Sequence, residues 1–419
     1  MTCSSYAGRR RSLSALGLGL ALIWSACGGD TPESFTVASQ ELPSPAGLES
    51  GEPFLSSDEG GVYLSWLEAK GDGGHDFRFS RLHGAEWSDP VTIASSDRFF
   101  VNWADFPSIS PGPDGSLWAH WLQRGAEGGY DYGVRIVRSS DGGATWSEPW
   151  TPHDDTSPTE HGFVSAVPFD GAVGFAWLDG RQYAEGPDGS PATEEMTLRF
   201  RSVDPDGGHG PEVLVDQRVC DCCQTASALT DRGPVVVYRN RSDQEIRDIY
   251  ISRLVEGEWT EGAPVHEDGW MIDGCPVNGP AVAARGMDVA VAWFSAPDDV
   301  ARVWVAFSHD GGATFGEPIR IDDGNPGGRV DLLMDEDGTV LVSWVERTGG
   351  EAAEIRLRRA EPDGTASASA ALSVSSAERA SGFPRLARAP EGGIVLAWTD
   401  VGGDAPRVRV SNLQLHSPE

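Results

Sequence analysis

Beyond its first 26 residues the chain has no long segment in which apolar side chains recur at the 3.6-residue period of a helix, which excludes helical bundles and helical-hairpin repeats. It is also poor in positive charge, with 32 Lys+Arg against 64 Asp+Glu and a formal charge of −32. Residues 1–26 hold three arginines and no acid, so without them the balance stands at 29 to 64. A phosphate backbone is repelled by such a chain, which argues against nucleic acid as a partner. An anionic bilayer surface is excluded on the same ground unless a lipid supplies the attachment. The apolar run 13–24 is too short to span a bilayer. Cysteine is scarce, six in 419 residues.

What is present is a repeat. Seven strand-like runs each end on a large side chain: VYLSW at Trp66, LWAHW at Trp121, VGFAW at Trp177, VVVYR at Arg239, VAVAW at Trp293, VLVSW at Trp344 and IVLAW at Trp398. The intervals of 55, 56, 62, 54, 51 and 54 residues suit one four-stranded antiparallel sheet per unit. With 52 Gly and 28 Pro to punctuate turns, the chain is expected to be an all-β propeller of seven blades occupying residues 46–415. First strands are expected after Pro53, Phe106, Phe163, Gln224, Pro280, Val330 and Phe383. The last unit has only three strands before the chain ends, so residues 35–41 are expected to supply its fourth and close the ring. A closed ring has no exposed sheet edge, and a monomer is expected.

The N-terminus reads as an address. Arg9, Arg10 and Arg11 precede the apolar run, and Ser25-Ala26-Cys27 follows. This resembles a bacterial lipoprotein signal, which implies cleavage after residue 26, lipidation of Cys27 and a tether to about residue 45. The implied location is the cell envelope, with the membrane touched only through the lipid.

Two segments, 139–146 (SSDGGATW) and 308–315 (SHDGGATF), match S-x-D-x-G-x-T-[W/F]. This pattern is similar to the Asp box (BNR repeat) of the sialidase superfamily. There the Asp caps the N–H groups of a hairpin between third and fourth strands, the glycines take positive φ, and the aromatic packs between sheets. Asp141, Trp146, Asp310 and Phe315 are accordingly assigned structural roles. Sialidase domains have six blades, which stands as the alternative to seven.

In a propeller the loops entering each innermost strand, and those joining second to third strands, share one face around the axis. Entry loops place Trp103, Asp105, Glu160, His161, Asn278 and Arg329 there, and the other loops add Asp179, Arg181, Tyr183, Arg239 and Arg241. Arg181, Arg239, Arg241 and Arg329, with Trp103 and Asn278, are expected to bind a glycan or small anionic ligand, because guanidinium forks match carboxylates. Sialidase resemblance implies a phenol nucleophile, a glutamate base and an aspartate acid. Tyr183, Glu160 and either Asp105 or Asp179 are the candidates. The Arg-Ile-Pro signature that opens sialidase catalytic domains is absent, so no catalytic residue is carried over. The readings are a glycan-binding propeller first and a sialidase-type hydrolase second.

Four cysteines remain beyond Cys3 and Cys27: Cys220, Cys222, Cys223 and Cys275, on entry loops of adjacent units. An even number in an oxidising compartment favours two disulfides, in any of three connectivities. The rival is a copper or zinc site formed by the thiolates and His161, which makes a metal-binding or redox lipoprotein the third reading.

Overall fold

In the computed structural model, residues 36–416 are described, except 170, 187–188, 190 and 205. The expected signal (1–26), Cys27 and the tether as far as residue 35 lie outside these residues. Seven antiparallel sheets form a ring, each running outward from an inner strand. Blades 1 to 6 span residues 50–96, 108–150, 161–219, 226–264, 281–320 and 326–376, and blade 7 spans 385–416. The fourth strand of blade 7 is Thr36–Leu42, paired along its whole length with Arg407–His416, from Thr36 opposite His416 to Leu42 opposite Val410.

The repeated aromatic holds each blade to the one before it. Trp66, Trp177, Trp293 and Trp344 are completely buried. Trp66 packs with Ala397 and Val408 of blade 7, and Trp293 with Val235 and Val237 of blade 4. Each indole N–H finds a carboxylate, Trp66 on Glu68 at 3.0 Å and Trp177 on Asp179 at 3.0 Å, so a large apolar side chain is buried without an orphan donor. Across the ladder, Trp66, Trp121, Trp177, Trp344 and Trp398 face Arg78, Arg135, Arg199, Arg356 and Arg409.

This register corrects the reading of unit 4. Tyr238, opposite Tyr250, occupies the tryptophan place and donates its hydroxyl to Asp216 at 2.6 Å. Arg239 falls one position later, where the other blades carry Leu67, Leu122, Leu178, Phe294, Val345 and Thr399.

At 139–146 and 308–315 the chain forms tight turns. Asp141 accepts the Thr145 N–H at 2.9 Å and the Thr145 hydroxyl at 2.6 Å, and Asp310 repeats this with Thr314. A Cβ on Gly143 would lie 2.2 Å from the Phe79 ring of blade 1, and Trp146 meets that ring edge-on at 5.9 Å.

Inner strands start where the sequence indicates, with one elaboration. Blades 1, 3 and 6 begin earlier and carry a β-bulge, leaving Glu52, Phe163 and Arg329 with φ of 52°, 52° and 56°. Bulges re-aim side chains. Here they sit at the entrance to the ring's axis.

Loss of the 36–42 strand would bare the edge of Arg407–His416. A chain lacking it is expected to melt at lower temperature and to associate with rising concentration in size-exclusion chromatography. An unchanged, monomeric protein would show that closure is dispensable.

Candidate active site

The entry loops of successive blades are tied by side chains aimed at backbone. Asn102 accepts the Ala104 N–H at 2.9 Å, forming a turn that delivers Asp105 inward. Asp105 Oδ1 accepts the Phe163 N–H of blade 3 at 2.7 Å. Gln224 of blade 4 donates its amide to the Ala104 carbonyl of blade 2 and accepts the Gly279 N–H of blade 5 at 2.9 Å. Asn278 accepts the Arg329 N–H of blade 6 at 2.7 Å.

At the rim lies a cavity of about 600 Å³. Its walls include Phe100, Trp103, Tyr130 and Tyr183, and its polar groups include Glu160, Tyr132, Asp221, Cys222, Cys275 and Arg379. A second space of about 170 Å³ along the inner strands is lined by Ser108, Ser165, Ser227 and Arg385.

The centre of the site is Tyr132, at the start of the third strand of blade 2. Its ring stacks on Phe100 at 3.9 Å, and its hydroxyl lies 2.8 Å from Asp105 Oδ2 and 2.7 Å from Glu160 Oε1. Gly162 permits this approach, since a Cβ there would fall 2.1 Å from Asp105 Oδ2. Tyr132 and Asp105 are each 2% exposed. A phenol has one proton to give, so two ionised carboxylates cannot both be satisfied by it. One acid must be protonated and donate to the phenol oxygen. Burial pushes Asp105 up to about 7, against the opposing bonds from Phe163 and Tyr132. Burial likewise lifts Glu160 to about 8, the Tyr132 bond opposing while the charges of Asp105, Asp221 and Cys275 add to the rise. Burial and the two acids raise Tyr132 well above its ordinary value. Near neutrality the triad therefore carries a neutral carboxylic acid at the cavity floor.

The other expected site residues are placed differently. Asp179 is wholly buried and grips Arg181 through two 2.7 Å bonds. Its pKa stays below the ordinary value, burial being outweighed by Arg181 and His161, so it is an ion and not an acid catalyst. Tyr183 lies in the cavity wall and donates to Asp221 at 3.2 Å; Glu160 pairs with Tyr132 instead. The arginines are committed. Arg181 also holds Glu212 at 2.7 Å, and Arg241 holds Glu245 at 3.0 Å. Arg239 is buried against the carbonyls of Arg247, Asn278 and Phe294. Arg329 binds Ser381, Gly382, Ala377 and Glu378, and its guanidinium lies 5.0 Å from the Trp103 ring. Sequence reasoning missed Arg379, exposed beside the cavity and without an ion-pair partner among the described residues.

His161 does not join the cysteines. It stacks on His153 at 4.0 Å and meets Asp155 at 3.1 Å and Asp179 at 3.7 Å. The expected disulfides are not formed: Cys220, Cys222, Cys223 and Cys275 are all free. The Cys220 sulfur lies 3.8 Å from that of Cys222 and 3.6 Å from that of Cys223, beyond the about 2.05 Å of an S–S bond.

No protein-family model matches the chain, and no curated protein matches it. Solved structures similar to it include a protein of unknown function from Dyadobacter fermentans, 15% identical over 76% of this chain and 97% of that one, with a TM-score of 0.48. A mutant of NanB sialidase from Streptococcus pneumoniae is 10% identical over 92% and 93%, with a TM-score of 0.47. The polysaccharide lyase Uly1 is 10% identical over 86% and 89%, with a TM-score of 0.49.

Because the folded state holds protons on Glu160 up to about 8, from an ordinary value of 4.5, its contribution to stability is complete below 4.5 and is lost as pH rises through 8. Wild-type protein is expected to lose melting temperature across that window relative to Glu160→Gln. Parallel curves would show that Glu160 titrates normally.

Proposed function

We propose that this protein is an exported, lipid-anchored propeller that binds a glycan in the rim cavity. The observation that carries this reading is the Asp105–Tyr132–Glu160 triad beneath aromatic walls. Sugars offer apolar faces that stack on rings and hydroxyls that both give and accept hydrogen bonds. With its protons shared inside the triad, the cavity floor offers the outer carboxyl oxygen of Glu160 as an acceptor for those hydroxyls without the repulsion that two carboxylates would create. Arg379 is the cation available to a carboxylate on the ligand, a role the four committed arginines cannot take. The anchor rests on the basic n-region, the apolar run and Cys27.

One observation favours a second reading, cleavage of a glycosidic bond. Tyr132 and Glu160 form a phenol–carboxylate pair at 2.7 Å, and a carboxyl raised to about 8 is suited to proton transfer near neutral pH. In this reading Tyr132, and not Tyr183, is the phenol.

Titration calorimetry against acidic and neutral oligosaccharides tests binding. An acidic glycan is expected to bind, with Arg379→Ala weakening it about tenfold, equivalent to about 1.4 kcal/mol. Binding is expected to fall as pH rises past about 8, when Glu160 loses its proton. Failure of both glycan classes to bind would end the proposal. Turnover of a fluorogenic sialoside, lowered about 100-fold or more by Glu160→Gln, would select the hydrolytic reading.

A further inference from the structure

The fourth blade departs from the repeat in two ways, and the departures meet in space. Its entry loop carries Cys220, Cys222 and Cys223, and its second strand carries Arg239 at a position otherwise apolar or threonine. Cys220 and Cys223 are 1% and 2% exposed, and the three sulfurs all lie within 4.8 Å of one another. Cys275, on the entry loop of blade 5, lines the rim cavity together with Cys222. Two buried guanidiniums face this cluster. Arg247 donates to the Cys220 sulfur at 3.2 Å and also holds Glu245 at 2.8 Å, while Arg239 donates to the Arg247 carbonyl at 2.6 Å and is bonded only to carbonyls.

Distance and charge both discriminate between outcomes. Tetrahedral zinc, with Zn–S bonds of about 2.3 Å, sets its sulfurs about 3.8 Å apart. The observed 3.6 and 3.8 Å fit that spacing. A pair of disulfides is neutral and would leave Arg239 facing uncharged sulfur in a buried place, at a cost in desolvation. Three thiolates around a divalent cation carry one net negative charge, and around a monovalent cation two. Either offsets Arg239, which has no carboxylate partner among the described residues, whereas Arg247 is also paired with Glu245 at 2.8 Å.

We propose that Cys220, Cys222 and Cys223 bind one thiophilic cation, zinc or cuprous ion, with Cys275 completing the site. Soft sulfur ligands select these ions over calcium or magnesium. The ion would pin the entry loops of blades 4 and 5 together, and through Cys222 and Cys275 it would stiffen one wall of the rim cavity. The site stands on the cysteines and arginines alone and does not depend on the glycan reading.

The test uses the full chain isolated from membranes without added reductant, followed by elemental analysis, native mass and thiol alkylation. One equivalent of zinc or copper is expected, with the thiols alkylated only after chelation. In competition titrations with zinc(II) and, separately, copper(I), Cys222→Ser is expected to weaken binding by more than the about 10–100-fold typical of an outer-shell change, and Arg247→Gln by about 10–100-fold. Cys275→Ser removes an exposed side chain, so it reports on the site without disturbing the core. Cobalt(II) bound in place of zinc should show a thiolate-to-metal charge-transfer band that Cys222→Ser abolishes. A metal-free chain whose mass lacks the hydrogens of two disulfides would overturn the proposal. So would an ion retained with unchanged affinity by both Cys222→Ser and Cys275→Ser.

Discussion

Ring closure is the constraint on which the rest depends. The Thr36–Leu42 strand joins the two ends of the described chain, and only then do the entry loops converge on a common axis. From there the contacts run around the circle: Asp105 to Phe163, Gln224 to Gly279, Asn278 to Arg329, Arg329 to Gly382, and Phe383 back to Trp103. All but the last join a blade to the next in the circle, and the last passes over blade 1 from blade 7 to blade 2. The separation of Tyr132 from Glu160 is fixed in the same way, since the two residues belong to different blades and share no strand. A ligand cavity built so is a property of the closed ring, which makes it rigid in a way that a single loop cannot be.

The architecture was legible because its main structural device is repeated. An aromatic that must bury its ring against the preceding blade recurs once per blade and leaves an interval that can be counted. Alignment on the last large residue fails only in blade 4, where Tyr238 takes the tryptophan place and the buried Arg239 comes next. The site was less legible for a physical reason. Aligning third strands on the residue opposite the tryptophan place, which is an arginine in five blades, Tyr250 in blade 4 and Trp304 in blade 5, puts Tyr132 and Arg247 three positions before it, where other blades carry His75, Met196, Ala301, Ala353 and Pro406. Those two exceptions are the central groups of the two candidate sites. Second-strand counting does not see them.

The arginines teach a related lesson. Sequence records a charge but not the partner that neutralises it. Arg181 has Asp179 two residues away, Arg241 has Glu245 four residues away, and Arg239 and Arg329 have carbonyls delivered by neighbouring blades. A guanidinium used this way braces the rim, because its several donors satisfy carbonyls that the bulges and turns would otherwise leave unpaired. Arg379, in the short turn ahead of the last inner strand, is left to the cavity.

A chain of formal charge −32 repels anionic ligands over most of its surface. The rim cavity escapes that field by local means. Asp179, Glu212 and Glu245 are paired with arginines, while Asp105 and Glu160, which have none within reach, are crowded around one phenol and hold a proton instead. Burial is what drives both solutions, since an unpaired ion there is costlier than either a salt bridge or protonation. The same reasoning separates the two halves of the rim. Around Tyr132 the low-dielectric site is negative by composition and is neutralised by protons. Around Cys220 two guanidiniums are buried side by side: Arg247 is paired with Glu245, while Arg239 meets only carbonyls and is the charge that anionic sulfur would offset.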